Sequence, residues 1–137
     1  MRFFFYGTLI DADVRRLVLG RLAPDEVEPA TLKGWRRVKL AGLTYPGMVA
    51  DPKGSVPGVL ARGLDRVARQ RLVRYEGDEY ELVPVEVVAG NGKTVSAVTF
   101  VSGRALKRAA GSWEIADWQR RHKRRFLASL ARSGAPS

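Results

Sequence analysis

The hydrophobic pattern changes period several times along the chain, and each change marks an element. Residues 3–6, Phe-Phe-Phe-Tyr, form a compact aromatic run ended by Gly7, which predicts a short buried strand and then a turn through Gly7-Thr8-Leu9. Val14, Leu17 and Val18 recur at helical spacing, with Asp13 as the expected N-cap and Gly20 as the stop. Residues 27–32, 35–40 and 56–62 are short, rich in β-branched or aromatic side chains, and punctuated by Gly34, Gly42, Pro46-Gly47 and Pro52-Lys53-Gly54. They read as strands joined by turns. From Asp65 a second helical stripe runs through Val67, Ala68, Leu72 and Tyr75 and stops at Gly77, placing Glu76 at the helix end or in the loop beyond.

Residues 80–88 and 94–101 flank Gly90-Asn91-Gly92 and give the strongest hairpin signal in the chain. Alternation puts Val83, Val85 and Val87 on one face with Glu81, and Tyr80, Leu82 and Glu86 on the other. A last helix, from about residue 115 to residues 130–132, sets Ile115, Trp118, His122, Phe126 and Leu130 along one side, with an almost wholly charged opposite side. The final residues 133–137 read as a frayed end. Short, irregularly spaced strands with few crossover helices argue against a doubly wound sheet. The expected fold is α+β: a single domain over residues 1–137 with a small, mixed, mostly antiparallel barrel-like β-sheet and a few flanking helices.

Composition narrows the chemistry. A chain of 137 residues, 45% hydrophobic and 28% charged, fits one ordinary globular core. The sequence has no cysteine and one histidine, which excludes disulfides, thiolate catalysis, cysteine-bound zinc and a histidine metal cluster. The apolar run at residues 3–6 is too short for a signal-peptide core, and no stretch approaches the roughly 20 apolar residues that span a bilayer. A cytoplasmic protein with no membrane partner is the expectation. The net charge of +10 is uneven, since residues 104–137 alone contribute +7.

Four short motifs in order carry a resemblance: Tyr6-Gly7-Thr8-Leu9 after the first strand, Tyr45-Pro46-Gly47, Val56-Pro57-Gly58 opening a strand, and Tyr75-Glu76-Gly77 followed by Tyr80. Each is common alone, but the ordered set, spanning residues 3 to about 101, resembles the gamma-glutamylcyclotransferase-like (AIG2-like) family. The resemblance implies a cofactor-independent enzyme that cyclises a γ-glutamyl amine or peptide to 5-oxoproline and releases the amine. It implies Glu76 as general acid/base, and Tyr6, Gly7, Thr8, Leu9 and Tyr80 as the substrate-binding residues. The chemistry suits these residue types. Intramolecular attack has effective molarities that reach about 10⁵ M or more, so the enzyme must mainly manage protons and stabilise developing charge. A partly buried carboxylate does the first, and successive backbone N–H groups in a glycine turn do the second.

Other readings of these residues stand beside it. Taken alone, Glu76 reads as a solvated carboxylate pairing with Arg74, a reading the surrounding motifs reverse, and Asp78, Glu79 and Glu81 are nearby substitutes, of which Glu81 ranks second. Tyr80 reads as a packing or orienting aromatic, His122 as a hydrogen-bonded structural histidine, and Trp113 and Trp118 as anchors for the tail. The family often has an Asp soon after the Leu preceding Glu-Gly and an Arg two residues after the following Tyr; here these are Val73 and Leu82. That departure bears on substrate preference and turnover, and a silent small-molecule-binding relative is the alternative it leaves. The basic run at residues 120–125 offers a different class of function, a nucleic-acid or other polyanion partner for the last helix. Oligomeric state and the amine portion of the substrate have no sequence signal.

Overall fold

Strand β1 (Phe3–Phe5) is buried on both faces, and the sheet is assembled around it. The computed structural model describes residues 2–20, 27–77, 80–102 and 107–132; Asp78, Glu79 and the end at 133–137 lie outside the described residues. The remaining strands are β2 (Val27–Val38), β3 (Gly47–Ala61), β4 (Tyr80–Ala89) and β5 (Thr94–Ser102). They close into a barrel in the order β1-β3-β2-β4-β5. Every pairing is antiparallel except the closing one, where β1 runs parallel to β5 with Phe3 opposite Val98. The expected mixed, mostly antiparallel barrel with flanking helices is what forms.

The predicted hairpin is present as β4 and β5, from Tyr80 opposite Ser102 to Val88 opposite Thr94. The segments expected at 27–32 and 35–40 are instead one strand, because Gly34 is absorbed as an irregularity between Lys33 and Trp35. Opposite it, pairing jumps from Ser55 to Ala50, so Pro52-Lys53-Gly54 bulges out of β3 rather than ending it. The Asp51 carboxylate accepts the Lys53 N–H at 3.0 Å and shapes that bulge. Pleating sends alternate side chains to two cores. Phe4, Leu32, Val56, Leu60 and Val87 fill the barrel, while Phe3, Phe5, Leu72, Phe100 and Trp118 pack between barrel and helices. Each such side chain contributes about 1.5–3 kcal/mol on burial. Gly58 permits the crowding at the seam, since a Cβ there would lie 2.3 Å from the Phe5 carbonyl oxygen and 2.7 Å from Phe4 Cζ.

Helix α1 spans Ala12–Leu19, and its N-cap is Asp11 rather than Asp13. A single 3-10 turn (Thr8–Ile10) occupies the residues just before it, leaving Asp11 extended so that its carboxylate accepts the N–H groups of Asp13 and Val14. Helix α2 (Arg66–Glu76) begins at Asp65 and ends at Gly77 as expected. Ala68 and Leu72 face the core, but Val67 is exposed. The last helix is two: α3 (Ile115–Arg121) and α4 (Lys123–Arg132), bent at His122, whose φ of −124° departs from helical geometry. The bend leaves Trp118 and Phe126 in edge-to-face contact at 5.4 Å and brings Lys123 Nζ to 2.9 Å from Asp11 and 2.8 Å from Asp13. Trp113 donates to the Thr44 carbonyl and lies under the Arg37 guanidinium, so both tryptophans do anchor the tail. No helix among the described residues is long and apolar enough to cross a membrane.

Asp11 therefore joins three parts of the chain, since Gln119 also donates to it at 2.8 Å. Burial alone would raise its pKa, but hydrogen bonds from Lys123, Gln119 and Val14 outweigh burial and hold it below the usual carboxylate value. Asp11→Ala is expected to lower unfolding free energy by roughly 2–4 kcal/mol, read by urea denaturation at pH 7, because a cap and a charged network are lost together. A lowered native pKa contributes stability above the unfolded-state pKa that disappears as pH falls through the native one. The gap between wild type and variant should thus narrow in acid, and a gap constant down to pH 2 would contradict this role.

Candidate active site

Six stretches of chain converge on one cavity of about 450 Å³. The first is the exit from β1. Tyr6 is buried, its hydroxyl donates to the Phe100 carbonyl at 2.7 Å, and its own carbonyl accepts from Arg37 at 3.0 Å. Gly7 follows in close contact with Pro46, where a Cβ would sit 3.2 Å from the proline Cδ. The 3-10 turn then directs its carbonyls inward: Gly7 accepts from Ile10, Thr8 from Asp11, and Leu9 and Ile10 both accept from Arg15 Nη1. The N–H groups of Gly7, Thr8 and Leu9 donate to no acceptor among the described residues, although this loop lines the cavity.

The second contribution comes from the last turn of α2, where Arg74, Tyr75 and Glu76 line the cavity. Tyr75 and Thr8 share a hydrogen bond of 2.9 Å between their hydroxyls, tying the helix end to the Gly7 loop. Tyr80, just past the α2 terminus, is a third wall. Tyr45 and Pro46, Thr99 and Phe100 of β5, and Phe126 and Leu130 of α4 supply the others. Glu76 is half-buried among these aromatics, and no hydrogen bond or ion pair reaches its carboxylate from the described residues. Burial raises its pKa from 4.5 to about 7. Burial also pushes Tyr6 and Tyr75 far up, with the Glu76 charge adding to both, so all three groups hold their protons more tightly than in water. Among the described residues no cluster of His, Asp and Glu could hold a metal ion.

The sequence profile of the gamma-glutamyl cyclotransferase, AIG2-like family matches residues 3–120. The chain belongs to this family. It is 33% identical to AIG2-like protein A of Arabidopsis thaliana over 129 residues, 93% of this chain and 77% of that protein. Among solved structures it resembles the solution structure of another Arabidopsis thaliana protein, at 30% identity with a TM-score of 0.70, covering 99% of this chain and 94% of that one. A structure titled gamma-glutamyl cyclotransferase aligns with a TM-score of 0.63 at 13% identity, covering 96% and 86%, a likeness of fold alone.

Every residue that the resemblance singled out as part of the site lines this one cavity: Tyr6, Gly7, Thr8, Leu9, Glu76 and Tyr80. Tyr6 differs from the expectation in detail, because its hydroxyl is committed to Phe100. The Glu76–Arg74 pair does not form among the described contacts, and Arg74 is exposed. Glu81, ranked second as a base, is exposed and off the cavity, since the face it shares with Val87 becomes buried only further along β4. The two positions where this AIG2-like chain departs from the family pattern, Val73 and Leu82, also lie off the cavity; Val73 is exposed and Leu82 packs beneath the helices. Sequence reasoning missed Tyr45 and Pro46 as wall residues although their motif was visible. It had no signal for Phe126 and Leu130, which reach the site only through the bend at His122.

The raised Glu76 pKa has a consequence for stability. The native group keeps its proton up to about pH 7, whereas an unfolded glutamate ionises near 4.5, so stability is full below the unfolded value and is lost as pH rises through the native one. Removing the ionisable group with Glu76→Gln is expected to raise stability at pH 8 by about 1–3 kcal/mol. At pH 4 wild type and variant should coincide in urea denaturation, and a pH-independent difference would contradict the burial.

Proposed function

We propose that the protein cyclises a γ-glutamyl amine or peptide to 5-oxoproline and releases the amine, with Glu76 as general acid/base. The observation that carries this reading is the Glu76 carboxyl, held near neutrality by burial in a cavity shared with the amides of Gly7, Thr8 and Leu9, which have no acceptor among the described residues. An ammonium nitrogen cannot attack, so the ionised Glu76 first accepts a proton from the substrate α-amine. The freed nitrogen adds to the γ-amide carbonyl carbon and closes the lactam ring. The oxyanion that develops is stabilised by backbone N–H groups of the Gly7 loop, a task to which fixed backbone dipoles lining a cavity are well suited. The C–N bond to the amine portion then breaks as Glu76 returns its proton to the departing nitrogen, and the second proton of the ring nitrogen passes to the freed amine, which leaves as an ammonium. No water, metal or cofactor enters the balance.

A carboxyl with pKa near the working pH suits both halves of this cycle, since it is neither too weak a base nor too weak an acid. Tyr75 and Tyr80 close the cavity around it, and the Thr8–Tyr75 hydrogen bond holds the base and the oxyanion loop in fixed relation. The polyanion reading of the basic run draws no comparable support. Arg120 and Arg121 pair with Asp117, and Lys123 with Asp11 and Asp13, so half of that run is engaged within the chain.

Purified protein incubated with a γ-glutamyl panel should release 5-oxoproline, detected by chromatography, and kcat/KM should rise with pH through about 7 as Glu76 ionises. Glu76→Gln should lower kcat by about 10²–10⁴-fold while the far-ultraviolet circular dichroism stays that of wild type. Turnover that survives this substitution would remove Glu76 from the mechanism.

A further inference from the structure

The cavity joins two chemically different walls. Its polar groups, the backbone of the Gly7 loop, Arg74 and Glu76 with hydroxyls of Tyr45, Tyr75, Tyr80 and Thr99, all lie within the region matched by the family profile. Phe126 and Leu130 come from α4 (Lys123–Arg132), which begins after the matched region ends at residue 120. A γ-glutamyl group carries an α-amine, an α-carboxylate and a reacting amide, and these need the polar wall. What remains to meet Phe126 and Leu130 is the amine portion of the substrate. Neither side chain offers it a hydrogen bond, so an uncharged hydrocarbon is the partner that loses least on leaving water.

This wall is fixed to its neighbouring helices, α1 and α3. Lys123 is held by Asp11 and Asp13, and the Phe126 ring stands edge-on to the buried Trp118 at 5.4 Å. We propose that Phe126 and Leu130 determine specificity for the leaving group, selecting γ-glutamyl conjugates of apolar amines, aromatic or branched aliphatic, over those whose amine portion bears a charge. The assignment rests on the reading of the cavity as a γ-glutamyl site and adds the identity of the other half of the substrate. Arg74, the only other charged residue among the described lining, is exposed and supplies the competing outcome, recognition of a carboxylate on the amine portion.

The test compares γ-glutamylphenethylamine with γ-glutamylglycine in two readouts: turnover by wild type, and calorimetric binding to Glu76→Gln, which reports on selection independently of catalysis. The expected result is a preference of at least about tenfold for phenethylamine in both readouts, since a single methylene in an apolar pocket is worth that much. Phe126→Ala and Leu130→Ala, each made in both backgrounds, should reduce that preference by about tenfold or more, and Phe126→Leu should retain most of it. Thermal unfolding of each variant separates loss of α4 packing from loss of selection, and Leu130→Ala serves where Phe126→Ala loosens the contact with Trp118. Equal use of both substrates, a preference for the glycine conjugate, or a preference indifferent to both substitutions overturns the inference while leaving the cyclotransferase reading intact. Selective binding without turnover supports the inference and overturns that reading. Absence of binding by either compound overturns both.

Discussion

Hydrogen bonding of β1 to two neighbours, antiparallel to β3 and parallel to β5, closes the barrel with a strand of only three residues. Because the strand is central, both of its faces are buried, and its phenylalanines divide between the interior of the barrel and the layer beneath the helices. The buried Thr99 hydroxyl donates to the Phe4 carbonyl across the parallel seam, reinforcing a junction with few backbone bonds of its own. Tyr6 and Gly7 leave this strand directly into the cavity, so the position of the candidate oxyanion loop is inherited from barrel closure. A parallel edge there cannot be made by a hairpin, which is why the chain's first strand meets its last.

Two carboxyl groups show how differently one fold treats burial. Asp11 is almost wholly buried, yet its oxygens accept from two backbone amides, Gln119 and Lys123, and ionisation is favoured once those bonds offset desolvation. Glu76 receives no such partner among the described residues, and burial leaves it holding its proton to about pH 7. The satisfied carboxylate does structural work, pinning α1 to α3 and α4. The other, without a partner among the described residues, costs stability above its native pKa, as perturbed groups that cluster at reactive sites do.

The clamp at Asp11 also governs the shape of the cavity at a distance. It fixes where α4 crosses the molecule, and hence where Phe126 and Leu130 stand relative to the glycine loop. Part of the basic run that looks like a polyanion footprint in one dimension is consumed in making that crossing. The family match covers residues 3–120, whereas α4, which supplies Phe126 and Leu130 to the cavity, follows them.

Much of this was legible without coordinates, because local physics sufficed. A two-residue alternation around Gly90-Asn91-Gly92 announces a hairpin, a 3.6-residue stripe between Asp65 and Gly77 announces a helix, and the ordered motifs around Gly7 and Glu76 announce the family. The bulge that merges two expected strands into β2, the capture of the cap by Asp11 and the bend at His122 were not legible, since each is chosen by a partner distant in sequence. The same limit applies to the site. The sequence determined which carboxylate and which glycine turn to consider. Only tertiary packing decided that the two share a cavity, that Glu76 has no cation partner among the described residues, and that α4 adds Phe126 and Leu130 to the lining, because desolvation and enclosure are properties of surroundings rather than of residues.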